Sequence, residues 1–263
     1  MTTDEIARTL YPQLLRNMNE KENTTLRTNI KRTVIFVLVL MMLLPTQTAF
    51  AAGKLSVTQE NFWVVNDYRT YAYGYARIEN VGDRPIKVHA GLLEVFDENG
   101  DTITSSDSLN AYARYLQPGE YTYAYVYSQI EDNDPPFVVD DYLLTITGKN
   151  EYEKYSLRLP CETDYVEDVN IGYYTYDYMY ATITNDTDEP LYGIQVIFAL
   201  LDDDGNILYM DNDYLHSNIA LMPGSSAIIR KAVDEDNKEV FSSQGFTATH
   251  VDAIAYVDRE VEG

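Results

Sequence analysis

Between Gly193 and Asp202 the chain reads "GIQVIFALLD". Side chains alternate along a strand, so Ile194, Val196, Phe198 and Leu200 share one face and Gln195, Ile197 and Ala199 the other. The first set is the expected core face. Other segments with a two-residue period are separated by turn chemistry: "NVGDRP", "DENGD", "LQPGE" and "TGKN". Short alternating segments broken in this way predict an antiparallel sandwich rather than helices alternating with parallel strands. No helical period stands out after residue 51.

The pattern occurs twice. Shifted by 105 positions, "YRTYAYGYARIENVGDRPIKVHAGLLEVFDENGDTI" lies on "YYTYDYMYATITNDTDEPLYGIQVIFALLDDDGNIL" without a gap. Tyr71, Tyr73, Tyr75, Ala76, Ile78, Asn80 and Pro85 meet Tyr176, Tyr178, Tyr180, Ala181, Ile183, Asn185 and Pro190, and Pro118-Gly119 meets Pro223-Gly224. Self-similarity at a fixed period marks a duplicated structural unit. The predicted organisation is a leader over 1–51 and two β-sandwich modules, 52–159 and 160–263, with a short junction around Leu159 to Glu162 that limits swing between them. His89 falls on Ile194 and is expected to point toward the core, as a structural histidine.

The stretch Phe198-Ala199-Leu200-Leu201-Asp202, followed by Asp203-Asp204-Gly205-Asn206, resembles the signature strand and turn of the FxLYD family of immunoglobulin-like modules in exported bacterial proteins. Asn185, Pro190 and Pro223-Gly224 resemble that family's other landmarks, and Leu93-Glu94-Val95-Phe96-Asp97 is a more divergent signature in the first copy. The resemblance implies two tandem all-β immunoglobulin-like sandwiches that are non-catalytic, and it brings no catalytic residues with it.

The leader changes the setting. Residues 31–52, "KRTVIFVLVLMMLLPTQTAFAA", have the order of a secretory signal peptide: cations, an apolar run from Val34 to Leu44, and an Ala49-Phe50-Ala51 ending. Cleavage is expected after Ala51, and Met18 is an alternative start. The apolar run is shorter than the roughly 20 residues that span a bilayer. The expected destination is therefore extracellular without a stable membrane anchor, the alternative being an uncleaved N-terminal anchor. A single cysteine, Cys161, leaves no intramolecular disulfide. With 42 acidic against 19 basic residues the formal charge is -23, which disfavours nucleic acid as a partner.

Two stretches offer candidate chemistry. In "DENGD" and its counterpart, glycine falls at the fourth position, Gly100 and Gly205. A calcium loop of the EF-hand type needs glycine at position 6. A hairpin needs polar residues and then a glycine in the left-handed region, so the turn is the expected role. Weak Ca2+ binding would fall to Asp202, Asp203 and Asp204, and no other cofactor is expected. The second candidate is the tyrosine load, 24 residues. Tyr71, Tyr73 and Tyr75 alternate on one strand and Tyr121, Tyr123, Tyr125 and Tyr127 on another. With Ala76 and Ile78 pointing inward, these tyrosines point outward on neighbouring strands. They form either an exposed face that receives an extracellular protein or a cell-wall polysaccharide, favouring the first module, or a face packed against the other module.

Catalysis finds little footing. His89, His216 and His250 have no metal-binding spacing, no G-x-S-x-G elbow occurs, and Cys161 reads as a packed or incidental thiol. The expected protein is not an enzyme. An accessory or inhibitory protein for an extracellular enzyme is the alternative, and a hydrolase a more remote one.

Overall fold

The computed structural model describes residues 52–66, 69–131 and 138–261. The leader expected over 1–51 lies outside the described residues. No helix among them is long and apolar enough to cross a membrane.

The chain folds almost entirely as antiparallel β-structure. In its first half, β1 (Leu55–Asn66), β2 (Thr70–Asn80), β7 (Tyr121–Ile130) and β5 (Leu109–Ala111) form one sheet in the order β1-β2-β7-β5. A second sheet is centred on β3 (Ile86–Asp97), which pairs with β4 (Thr102–Ser106), β6 (Tyr115–Leu116) and β8 (Val139–Asn150). Ala72, Ala76 and Ile78 of β2 and Ala124 and Val126 of β7 join Val88, Leu93 and Val95 of β3 and Leu144 of β8 in one core. As expected, Ala76 and Ile78 face inward.

The second half repeats these pairings. Here β10 (Cys161–Ile171), β11 (Tyr174–Thr184) and β14 (Ser226–Ala232) form one sheet, and β13 (Ile207–Tyr214), β12 (Gln195–Leu201), β15 (His250–Glu260) and β9 (Lys154–Leu159) the other. The β3–β4 pairing shifts register between Val95 and Phe96, and the β12–β13 pairing between Leu200 and Leu201, the same place 105 residues on. The strand Lys154–Leu159 precedes the boundary expected at 159/160 yet pairs with β15. The chain therefore passes from the first set of sheets to the second at 151–153.

Buried asparagines explain why the repeat keeps Asn80 and Asn185, both 0% exposed. Asn80 Nδ2 donates to the carbonyls of Arg84 and Leu116, and Asn185 Nδ2 to those of Glu189 and Leu221, at 2.7 to 3.1 Å. Each asparagine's own carbonyl accepts from the glycine of the Pro-Gly turn, Gly119 or Gly224, at 2.8 Å. One side chain thus ties the end of a strand to two loops, satisfying backbone groups that would otherwise be buried without partners.

Three expectations need correction. His89 is exposed, because the β3–β8 pairing steps from Val88↔Gly148 to Ala90↔Thr147 and leaves it unpaired in a bulge that turns it outward. The second face of β12, assigned away from the core, is also buried: Ile197 and Ala199 are 0% exposed. Finally, a helix is present, α1 (Glu235–Ser243), started by Asp234, whose side chain accepts from Asn237 N–H, with only Phe241 buried.

Candidate functional site

The pairing of β2 with β7 sets Tyr73 opposite Tyr127 and Tyr75 opposite Tyr125. The tyrosine strands are neighbours, as the sequence indicates, and their rings lie 5.9 to 6.4 Å apart between centroids. β1 adds Trp63, opposite Tyr73, and Val65, opposite Tyr71. Arg77 on β2 lies over the Tyr121 ring at 3.8 Å.

This face is not open along its length. Tyr75 and Tyr123 are 1% exposed, Trp63 is 4% and Val65 3%, and all four belong to the same buried cluster as Ile197, Ala199 and Ile254. Covered by the second half, Tyr75 and Tyr123 depart from the exposed-face expectation, while Tyr127 at 38% meets it. The cover explains why β12 is apolar on both sides. Its Val196, Phe198 and Leu200 join Met179, Ala181 and Ile183 of β11, and Ile197 and Ala199 lie opposite Ile254 and Asp252 of β15.

Polar contacts fix the register of the two halves. Tyr121 and Tyr123 both donate from their hydroxyls to Asp252 Oδ2 at 2.8 Å. Tyr112 donates to Asn212 Oδ1 at 2.7 Å, Asn61 Nδ2 to the Ile207 carbonyl at 2.8 Å, and Gln59 Nε2 to the Gly205 carbonyl at 3.0 Å. Arg158 of β9 donates to the Tyr121 carbonyl and sits 3.4 Å from Glu120. Burial, followed by the charge of Asp252, pushes the Tyr121 phenol up to about 12 and the Tyr123 phenol well above its ordinary value. Hydrogen bonds to a charged acceptor in a dry setting are among the stronger ones.

At one end the cover stops and leaves a cleft of about 230 Å³. Tyr71, Tyr73, Tyr75 and Tyr125 come from the first half, and Tyr209, Met210, Asp211, Asp234, Asp236 and Asn237 from β13 and the start of α1. Burial, then the neighbouring Tyr125 and Asp234, raises the Tyr73 phenol to about 12. Asp211 accepts from Tyr209 at 2.9 Å and pairs with Lys231 at 3.0 Å. Four of the seven tyrosines singled out from the sequence, Tyr71, Tyr73, Tyr75 and Tyr125, thus meet in this cleft; Tyr121 and Tyr123 serve the contact between halves, and Tyr127 is exposed. The acids were not legible as partners, because nothing local distinguishes Asp252 or Asp211 among 42 acidic residues.

The acidic turns are not brought together as a metal centre. Asp202 is buried, and its Oδ1 accepts from Asp204 N–H at 3.0 Å and Asn206 N–H at 2.7 Å, while Oδ2 accepts from Asn206 Nδ2 at 2.8 Å. Asp97 repeats the first two bonds with Asn99 and Asp101. Gly100 and Gly205 both have φ +82, the left-handed conformation the turn demands. Among the described residues no three of His, Cys, Asp and Glu form a group that could hold a metal ion. Cys161 is a free thiol that burial, with Asp252 nearby, raises to about 11.

A second buried acid lies elsewhere. Asp177, 4% exposed, accepts from Tyr165 Oη at 2.9 Å and Asp168 N–H at 3.0 Å and pairs with Lys238. Burial alone would raise its pKa, but Lys238 and the two hydrogen bonds hold it below the ordinary carboxylate value. Asp168 has φ 56, in the bulge where the β10–β11 pairing steps from Val166 to Val169.

No family model matches the chain, and no curated protein matches it. Among solved structures, it is similar to red sea bream transglutaminase at 12% identity and a TM-score of 0.20, covering 78% of this chain and 31% of that one. The chain spans about a third of that protein's length. A likeness this low carries no argument about activity.

Proposed function

We propose that this is an exported, non-catalytic protein of two tandem FxLYD-like sandwich modules that work outside the cell as one rigid binding or spacer element. The observation that carries the reading is the pair of tyrosine hydroxyls, Tyr121 and Tyr123, both donating to Asp252 across the two halves. A flexible string of modules has no use for a desolvated polar contact of this kind, whereas a spacer that must hold its ends at a fixed separation does. Most of the tyrosine face is thereby spent on holding the halves together. Its open end, at Tyr71, Tyr73, Tyr125 and Tyr127, is left to meet an extracellular protein or a cell-wall polysaccharide.

Limited proteolysis of the chain tests the rigid element. The connection at 151–153 carries exposed Tyr152 and should still resist cleavage into two stable fragments, because moving it requires parting β9 from β15. Early release of two intact halves would rule the reading out. Fractionation of producing cells with N-terminal sequencing of the released protein tests export; a chain starting at residue 52 in the medium is the expected result.

A further inference from the structure

The cleft at the open end of the tyrosine face has walls of one chemical kind and a rim of another. Its walls are aromatic: Tyr71, Tyr73 and Tyr125 from the first half and Tyr209 from the second. Its rim carries Asp211, Asp234 and Asp236. Asp211 itself is paired with Lys231 at 3.0 Å. Asn237, also on the wall, keeps a buried Oδ1 with no hydrogen-bond donor among the described residues. Phenol faces are electron-rich and attract cations, more strongly when water is thin. Carboxylates at the mouth raise the local concentration of positive charge, as does a chain with a net charge of -23.

From this geometry we infer that the cleft between Tyr73, Tyr125 and Tyr209 binds an organic cation, an alkylammonium group seated against the phenol rings with its charge toward Asp234 and Asp236. The volume, about 230 Å³, admits one head group or one side-chain end rather than an extended chain. Both a free quaternary ammonium compound and a lysine side chain of a basic protein present this chemistry. The inference rests on the docked arrangement proposed above, since the two halves supply opposite walls.

The test is a titration of the full chain with choline, with its neutral isostere 3,3-dimethylbutanol, and with a short peptide bearing one central lysine, followed by calorimetry and tyrosine fluorescence. Choline or the lysine peptide should bind saturably, and the neutral isostere should not. Choline binding with a silent peptide identifies a free small cation; the reverse identifies a protein side chain. Tyr73→Ala should weaken binding about tenfold. Asp234→Ser combined with Asp236→Asn should weaken it by a similar factor, the serine preserving the helix N-cap, and should reduce its sensitivity to salt. Thermal unfolding of each variant confirms that it is folded before its affinity is read. Equal binding of choline and dimethylbutanol, or no saturation with either cation, overturns the inference. Scattering on the same samples separates the two failures: a compact chain that ignores cations refutes the cleft alone, and an extended chain refutes the docked arrangement with it.

Discussion

Replacing Asp252 by alanine removes one acceptor and strands two donors. Tyr123 is 1% exposed and its hydroxyl sits 2.8 Å from Asp252 Oδ2, so it has no route to water once the carboxylate is gone. A buried hydroxyl left without an acceptor costs about 1–3 kcal/mol. Tyr121 is only half-buried, and its hydroxyl can turn to solvent at a cost of about 0.5–1 kcal/mol. The expected loss for Asp252→Ala is therefore about 2–4 kcal/mol, a fall in melting temperature of roughly 5–12 °C for a chain of this size. Asp252→Asn keeps an acceptor oxygen and should cost about 1 kcal/mol. Urea unfolding followed by circular dichroism measures both. The sharper comparison adds Tyr123→Phe: on its own it is destabilising, but in the Asp252→Ala background it should cost nothing further, because the hydroxyl then has nothing to bond. If the alanine variant lies within about 0.5 kcal/mol of the parent, or the two changes simply add, Asp252 does not hold the halves together.

Asn80→Ala and Asn185→Ala should each cost about 1–3 kcal/mol by stranding one buried carbonyl, that of Leu116 or Leu221, and the two losses should be alike because the hydrogen bonds repeat at the 105-residue offset; an indifferent response at either site in chemical denaturation would break the equivalence. In alkali, phenols with folded pKa values raised above 10 keep protons that the unfolded chain releases. Their contribution is intact below pH 10 and is lost as pH rises from 10 toward 12, where Tyr73, Tyr121 and Tyr256 titrate in the fold. The share of the tyrosinate absorbance near 295 nm that these three phenols supply should therefore appear together with loss of β-structure, read as the difference between the parent and the Tyr73→Phe, Tyr121→Phe and Tyr256→Phe variants; ionisation of these phenols at pH 10 in an intact fold would contradict the burial assigned to them. Lys238→Met leaves the Asp177 carboxylate with Tyr165 and Asp168 N–H alone and should cost about 2 kcal/mol near neutral pH. Because the Asp177 pKa is lowered in the fold, that cost should disappear as pH falls through it; a penalty independent of pH would show that Lys238 acts through packing.

The all-β class and the strand spacing were legible because period-two alternation and turn glycines are local signals. The tyrosine pairing was legible for the same reason: Tyr75 and Tyr125 lie on adjacent strands that a sandwich order makes neighbours. What covers that face was less visible. Ile197 and Ala199 did signal it, since an unbroken apolar strand is the mark of burial on both sides, but nothing in "IQVIFALL" says which surface arrives there. Asp252 is separated from Tyr123 by 129 residues, and a lone aspartate on a strand carries no sign of its partner. His89 was misplaced because a bulge shifts register by one residue and reverses every inference drawn from alternation. The helix Glu235–Ser243 escaped because a single buried residue, Phe241, gives no period to read; the Asp234 cap was its one local mark.

Small-angle X-ray scattering of the chain addresses the central claim most directly, that the tyrosine face locks the two halves into one body. A single compact particle is expected, with a distance distribution that has one maximum and is unchanged by salt, because the contact is largely apolar. A broad distribution with two maxima, the mark of two sandwiches swinging about residues 151–153, would contradict it.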